Sequence, residues 1–110
     1  LYDYVSCVYR VVSGGVNLYP AEAEQVLLGH PEVADVACVG VPNREMGEEL
    51  KALVVLADSG RRVMESELLE YCRQHLSHHK CPRSVTLVED LGRTAMGKID
   101  KRKLRSPWWE

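Results

Sequence analysis

Two apolar stretches, Val33 to Val41 and Leu50 to Ala57, constrain this chain more than any other feature. Each is rich in valine, about the length of one strand, and far short of the roughly 18 apolar residues that would cross a bilayer. A strand that is apolar on both faces has to be covered on both faces, so it belongs inside a layered fold. The first stretch alternates only partly and reads as a buried strand. The second is the most apolar part of the chain and reads as a central strand, with Pro42 to Glu48 a polar loop between them and Asp58-Ser59-Gly60 ending it.

The flanking segments offer that cover. Pro20 suits the first turn of a helix because its missing N–H would be unpaired there, Glu22 and Glu24 favour the positive end of the helix dipole, and Gly29 stops the helix. Ala23, Val26 and Leu27 then share one face. Ser66 reads as the N-cap of a second helix in which Leu68, Leu69, Cys72 and Leu76 recur at helical spacing, and Pro82 forbids continuation beyond Cys81. Tyr4 to Val12 reads as a strand entering the Ser13-Gly14-Gly15 turn, with a short partner strand at Val16 to Leu18. Ser84 to Val88 predicts a third core strand and Lys98 to Arg105 a short terminal helix. The expected fold class is α+β: a small lobe with a central three-stranded sheet flanked by helices, a leading β-hairpin and a short C-terminal helix.

At 110 residues the chain is one domain with room for a single core. Its net charge of −2 argues against a general nucleic-acid binder, yet Arg93 to Glu110 holds six basic and two acidic residues, an electropositive segment on an acidic body. Cys7, Cys38, Cys72 and Cys81 form no C-x-x-C pair, so free thiols in a reducing compartment are expected. With no membrane-length apolar run and no signal-peptide order at the start, a cytoplasmic parent is expected. Cys72, His75, His79 and Cys81 are metal-ligating types near one helix, but Cys72 completes an apolar stripe and histidines in a last turn suit the negative helix end, so no metal site is expected.

The chemistry concentrates in Gly92-Arg93-Thr94-Ala95-Met96-Gly97-Lys98-Ile99, where a glycine directly before a lysine, between a strand-like and a helix-like segment, is a way to aim an ammonium at phosphate oxygens. A phosphate-cradling G-x-x-x-x-G-K-[ST] loop needs a hydroxyl after the lysine to bind magnesium, and Ile99 has none.

A second pattern fits the whole chain. Arg93-Thr94-Ala95-Met96-Gly97-Lys98-Ile99 with Lys101-Arg102-Lys103-Leu104-Arg105 resembles the P-R-T-x-x-G-K-I-x-R-x-x-L-R signature of adenylate-forming acyl-CoA synthetases. Ser13-Gly14-Gly15-Val16-Asn17-Leu18-Tyr19-Pro20-Ala21-Glu22-Ala23-Glu24 resembles the same family's S-G-G-x-N-I-Y-P-x-E-I-E. Between them His30-Pro31-Glu32-Val33, Val39-Gly40-Val41-Pro42, Met46-Gly47-Glu48 and Lys80-Cys81-Pro82-Arg83 follow the family's order and spacing. The resemblance implies a C-terminal lobe over 1–110, with a hinge-proximal segment at 1–12, the matching lobe at 13–105 and a tail at 106–110.

The resemblance also implies roles. Lys98 is the expected catalytic residue, bridging the acyl carboxylate and the nucleotide during adenylation, with Arg93, Thr94 and Gly97 supporting its loop. Ser13, Gly14 and Gly15 are expected to line the tunnel for the CoA pantetheine in the lobe's second conformation, although Gly14-Gly15 reads equally as a plain hairpin turn. Arg44 could meet a CoA phosphate, but a lone loop arginine reads more readily as solvated. The implied cosubstrates are ATP, with magnesium, and CoA, both bound mainly by a larger N-terminal lobe that is the implied partner, together with a carboxylic acid substrate. Two departures stand out: glycine replaces the family's usual proline at Gly92, implying a looser loop, and Val5-Ser6-Cys7 occupies the region of the usual acidic–basic hinge. The rival readings are the same lobe of an amino-acid-adenylating domain or luciferase-like enzyme, and a non-catalytic module that binds phosphates or a partner. Trp108 and Trp109 carry no assignment.

Overall fold

The structure, a computed structural model, describes residues 2–3, 8–9, 11–45, 47–57, 63–93, 97, 103–104 and 107–108. Its elements in chain order are β1 (Tyr2–Asp3), β2 (Val8–Tyr9), β3 (Val11–Ser13), β4 (Val16–Leu18), α1 (Pro20–Leu28), β5 (Val33–Asn43), β6 (Gly47–Leu56), α2 (Glu65–His75), a 3-10 turn at His78–Lys80, and β7 (Ser84–Leu87). Antiparallel β5 and β6 run side by side from Val33↔Leu56 to Asn43↔Gly47, and β7 joins β6 in parallel from Lys51↔Ser84 to Val54↔Leu87. These three strands are the expected central sheet. The β3–β4 hairpin is tied to it through Ser13↔Gly47.

Residues opposite one another across a ladder share a face, which sorts the core into two layers. Val36, Cys38, Leu50, Ala52, Val54 and Val85 face α1 and α2, meeting Ala23, Leu27, Leu68 and Cys72. Ala37, Val39, Val41 and Leu53 face the other way and are covered by Leu91, with Leu104 packed alongside. Both helices therefore lie on one face, while the second face is closed by the segment that follows β7. That double cover is why β5 is buried continuously from Val36 to Val41.

β5 is the edge of the sheet, and α1 covers it. Glu24, expected to serve the helix dipole, instead reaches from α1 to accept the Cys38 backbone N–H at 2.8 Å. Among the described residues no helix is long and apolar enough to cross a membrane.

Several boundaries differ from expectation. Of the strand expected over Tyr4 to Val12, Val8–Tyr9 form β2, paired with β1, and Val11 and Val12 lie in β3, while Tyr4 to Cys7 and Arg10 lie outside the described residues. The loop expected over Pro42 to Glu48 shrinks to a tight turn: Pro42↔Glu48 and Asn43↔Gly47 still pair, Asn43 Oδ1 accepts the Glu45 N–H at 2.9 Å, and Gly47 takes φ +84°. Proline is tolerated there because β5 is an edge strand among the described residues. The expected N-cap Ser66 lies inside α2, whose N-cap is Met64 without a side-chain bond, and α2 stops at His75 because Leu76 turns extended, well before Pro82. Of the terminal helix expected over Lys98 to Arg105, Lys103 and Leu104 are helical and the rest lies outside the described residues, as do Val5-Ser6-Cys7, Asp58-Ser59-Gly60 and Trp109.

Leu27 is fully buried between α1 and the sheet. Leu27→Ala should cost about 2–5 kcal/mol through lost burial and the cavity left behind. Urea denaturation should show a lower midpoint at an unchanged m-value; a loss below about 1 kcal/mol would mean that α1 does not seal this core.

Candidate functional site

The signature loop is anchored before it begins. Val88 N–H donates to the Val54 carbonyl at 2.8 Å, extending the β7 ladder, and Leu91, only 3% exposed, is buried against the sheet's second face. Between them Asp90 Oδ1 accepts the Gly92 N–H at 3.0 Å, closing a small turn. Gly92 takes φ +69°. A proline cannot adopt that value and has no N–H for Asp90, so glycine here does not loosen the family's turn. It makes a different turn, held by a hydrogen bond.

Arg93 then bonds in two directions. Its Nε donates to Asp35 Oδ2 at 2.5 Å and its Nη2 to Asp35 Oδ1 at 2.6 Å, a two-pronged fork, while its Nη1 donates to the Gly97 carbonyl at 2.7 Å. Gly97 has φ +83°, and a Cβ built there would meet nothing within 4 Å. The guanidinium thus bridges strand β5 to the residue preceding Lys98. Thr94 and Lys98 lie outside the described residues.

Asp35 faces this loop because of an irregularity in the ladder. Val33 pairs with Leu56 but Asp35 pairs with Val55, so Ala34 is an extra residue, a β-bulge. In a regular strand Asp35 would share the face of Val33, toward the helices. The bulge turns it to the second face, beside Arg93. The Arg93 hydrogen bonds hold the Asp35 carboxyl below its ordinary value of 3.8, against a desolvation that raises it, with the Val36 N–H at 2.9 Å helping to lower it. In return Asp35 keeps Arg93 protonated above its usual range. Sequence reasoning did not single out Asp35. The partial alternation of Val33 to Val41 is the trace that the bulge leaves in the sequence.

The second motif lies elsewhere. Gly14 and Gly15 form the two-residue tip of the β3–β4 hairpin with φ 58° and 82°, left-handed values that such a turn requires. Both are exposed, and a Cβ on Gly15 would meet nothing within 4 Å, so the tip offers open space beside bare backbone. Ser13 is fastened to Gly47, and Arg44 stands exposed at the same end of the sheet. Val55, opposite Asp35, is eight residues along β6 from Gly47, roughly 26 Å at 3.3 Å per residue. The structure therefore brings Arg93 to Gly97 and Ser13 to Gly15 into two sites at opposite ends of one strand.

Cys72 is buried, its thiol pushed up to about 11 by desolvation and secondarily by Cys81. Cys81 Sγ lies 3.5 Å from the Ser77 carbonyl, and His75 Nδ1 lies 2.9 Å from that of Tyr71. The Trp108 ring lies beneath the Lys51 ammonium, 5.2 Å from Nζ to centroid, which docks part of the tail on the second face.

Residues 22–98 match the family described as AMP-binding enzyme C-terminal domain. Over 98 residues the chain is 41% identical to the long-chain-fatty-acid–CoA ligase FadD13 of Mycobacterium tuberculosis, a match covering 89% of this chain and 19% of that protein. Over 95 residues it is 45% identical to a feruloyl-CoA synthase of Amycolatopsis, covering 86% and 19%. The crystal structure of ATP-bound MatB from Rhodopseudomonas palustris superposes with a TM-score of 0.83 at 36% identity, over 90% of this chain and 20% of that one. The chain spans about a fifth of the length of these relatives.

Two predictions follow from the loop's anchors. Gly92→Ala should cost about 1 kcal/mol, since a left-handed φ penalises a side chain even in open space, and Gly92→Pro should cost more, although proline is the residue the family signature carries. Thermal melts of the two variants check the order; a stabilised Gly92→Pro would disprove the turn described here. The ion pair adds a pH dependence. Because folding lowers the Asp35 pKa, its contribution, about 1 kcal/mol for a partly exposed charged pair, is present above 3.8 and lost as pH falls through the depressed value. The melting-temperature gap between wild type and Asp35→Asn should be open at pH 7 and close below pH 3.8; a gap that is constant with pH would exclude the charge as its source.

Proposed function

Since this chain belongs to the family of AMP-binding enzyme C-terminal domains, we propose that it serves as the mobile small lobe of an ATP-dependent acid:CoA ligase. The parent enzyme joins a carboxylate to the α-phosphorus of ATP, releasing pyrophosphate, and then transfers the acyl group from AMP to the CoA thiol, releasing AMP. The observation that carries this reading is the separation of the two motifs. One active site on a larger lobe cannot meet both ends of a strand roughly 26 Å apart at once, so each end serves a different half-reaction, and the lobe turns between them.

In the first half-reaction ATP, with magnesium on its phosphates, supplies the electrophilic phosphorus. Lys98 brings a positive charge to the crowded carboxylate and phosphate oxygens and stabilises the charge that develops there. Arg93 fits a supporting role, because three of its guanidinium N–H groups bond Asp35 and the Gly97 carbonyl. In the second half-reaction the side-chain-free tip at Gly14 and Gly15 leaves room for a narrow pantetheine arm, and Ser13 holds that tip to the sheet through Gly47. The adenine and acid pockets belong to the larger lobe, the proposed partner of this one, so acid specificity resides there.

The test is Lys98→Ala in the complete enzyme. Loss of one such stabilising contact costs about 3–4 kcal/mol, so adenylation, followed as pyrophosphate release, should fall on the order of a hundredfold to a thousandfold. Thioester formation from supplied acyl-AMP should be spared. Adenylation within a few-fold of wild type would refute the assignment of Lys98.

A further inference from the structure

We infer that Asp35 is a positioning residue for adenylation, setting the place of the lysine loop through Arg93. The inference rests on the reading of Lys98 given above, and four observations carry it. The Arg93 guanidinium is gripped at two N–H groups by the Asp35 carboxylate, and its third donor, Nη1, holds the Gly97 carbonyl, so one rigid plane links β5 to the residue that precedes Lys98. Asp35 belongs to the ten-pair β5–β6 ladder, whereas the loop it holds leaves the sheet after Val88. The bulge at Ala34 is what turns Asp35 to the loop's side of the sheet, and bulges serve to re-aim side chains at functional sites. Finally, Asp35 is itself oriented: its Oδ1 also accepts the Val36 N–H at 2.9 Å.

The neighbouring turn points the same way. Gly92 is held by Asp90, and Leu91 is buried, so the loop's incoming end is fixed at 90–92. Its outgoing end is fixed at Gly97, by Arg93. A lysine whose charge has to meet phosphate oxygens depends on both supports, since a displacement of about 1 Å in a catalytic group costs rate on the order of a hundredfold. Asp35 acts through Arg93 and the Gly97 carbonyl. Its effect is on where the lysine stands.

The experiment compares Asp35→Ala, Asp35→Asn, Arg93→Ala, the Asp35→Ala/Arg93→Ala double variant and Lys98→Ala in the complete ligase. Pyrophosphate release reads adenylation, and acyl-CoA formed from supplied acyl-AMP reads the second half-reaction. The Asp35 variants and Arg93→Ala should each lower the adenylation kcat on the order of tenfold to a hundredfold, with KM for ATP and the second half-reaction within twofold of wild type. The double variant should be no worse than the poorer single one, since both remove the same fork. Preserved thioester formation shows that the lobe is folded. Equal loss of both half-reactions, including in the shape-preserving Asp35→Asn, would reduce Asp35 to a stability residue and overturn the inference. Losses that multiply in the double variant would overturn it too, by showing Arg93 acting on substrate independently of Asp35. Normal adenylation in Lys98→Ala would instead remove the reading on which the inference rests, a result separable from failure of the fork.

Discussion

The antiparallel pairing of β5 with β6 is the constraint on which the rest of this lobe depends. It is the longest ladder among the described residues, and both of its strands carry apolar side chains on both faces. A ladder of that kind is stable only if two layers close over it. Here α1 and α2 supply one layer, and the segment after β7 supplies the other. The second layer is also the stretch that leads into the lysine loop. Cover for the core and delivery of the signature residues are one segment, so Leu91 packs within a few residues of Gly92 and Arg93.

That economy explains the two sites. A strand of this length has two ends, and each end has been given a motif: the hairpin tip at Gly47's end, the Asp35–Arg93 fork at the other. The sheet between them is rigid because it is buried on both faces. A rigid rod with a different motif at each end is the feature on which the proposal of a lobe presented to one partner in two orientations rests.

Much of this was legible in the sequence. The two valine-rich stretches foretold the central strands, the Pro20 and Gly29 pair bracketed α1, and the Gly14-Gly15 dipeptide foretold the hairpin, because each signal is local: periodicity, a fixed φ, a left-handed turn. What stayed hidden was non-local. Ser66 has the chemistry of an N-cap, yet the helix begins at Glu65, where packing of Leu68 and Cys72 sets the phase. Pro42 looks like a strand breaker and sits in a strand, because β5 is an edge strand. Gly92 looked like a loosened proline position, and its meaning changed once its φ and its bond to Asp90 were known. Asp35 was the largest omission: its partner lies 58 residues away, and only a faltering alternation hinted at the bulge that aims it.

The contact between Glu24 and the Cys38 N–H has a consequence beyond α1. An edge strand offers unpaired amides to any other strand that approaches. Here an outward amide of β5 is already bonded, and the group bonded to it is a carboxylate. A second copy attempting to add its own strand would have to displace a charged side chain and bury an acid in the new seam. Glu24 therefore opposes the addition of a further strand at that edge.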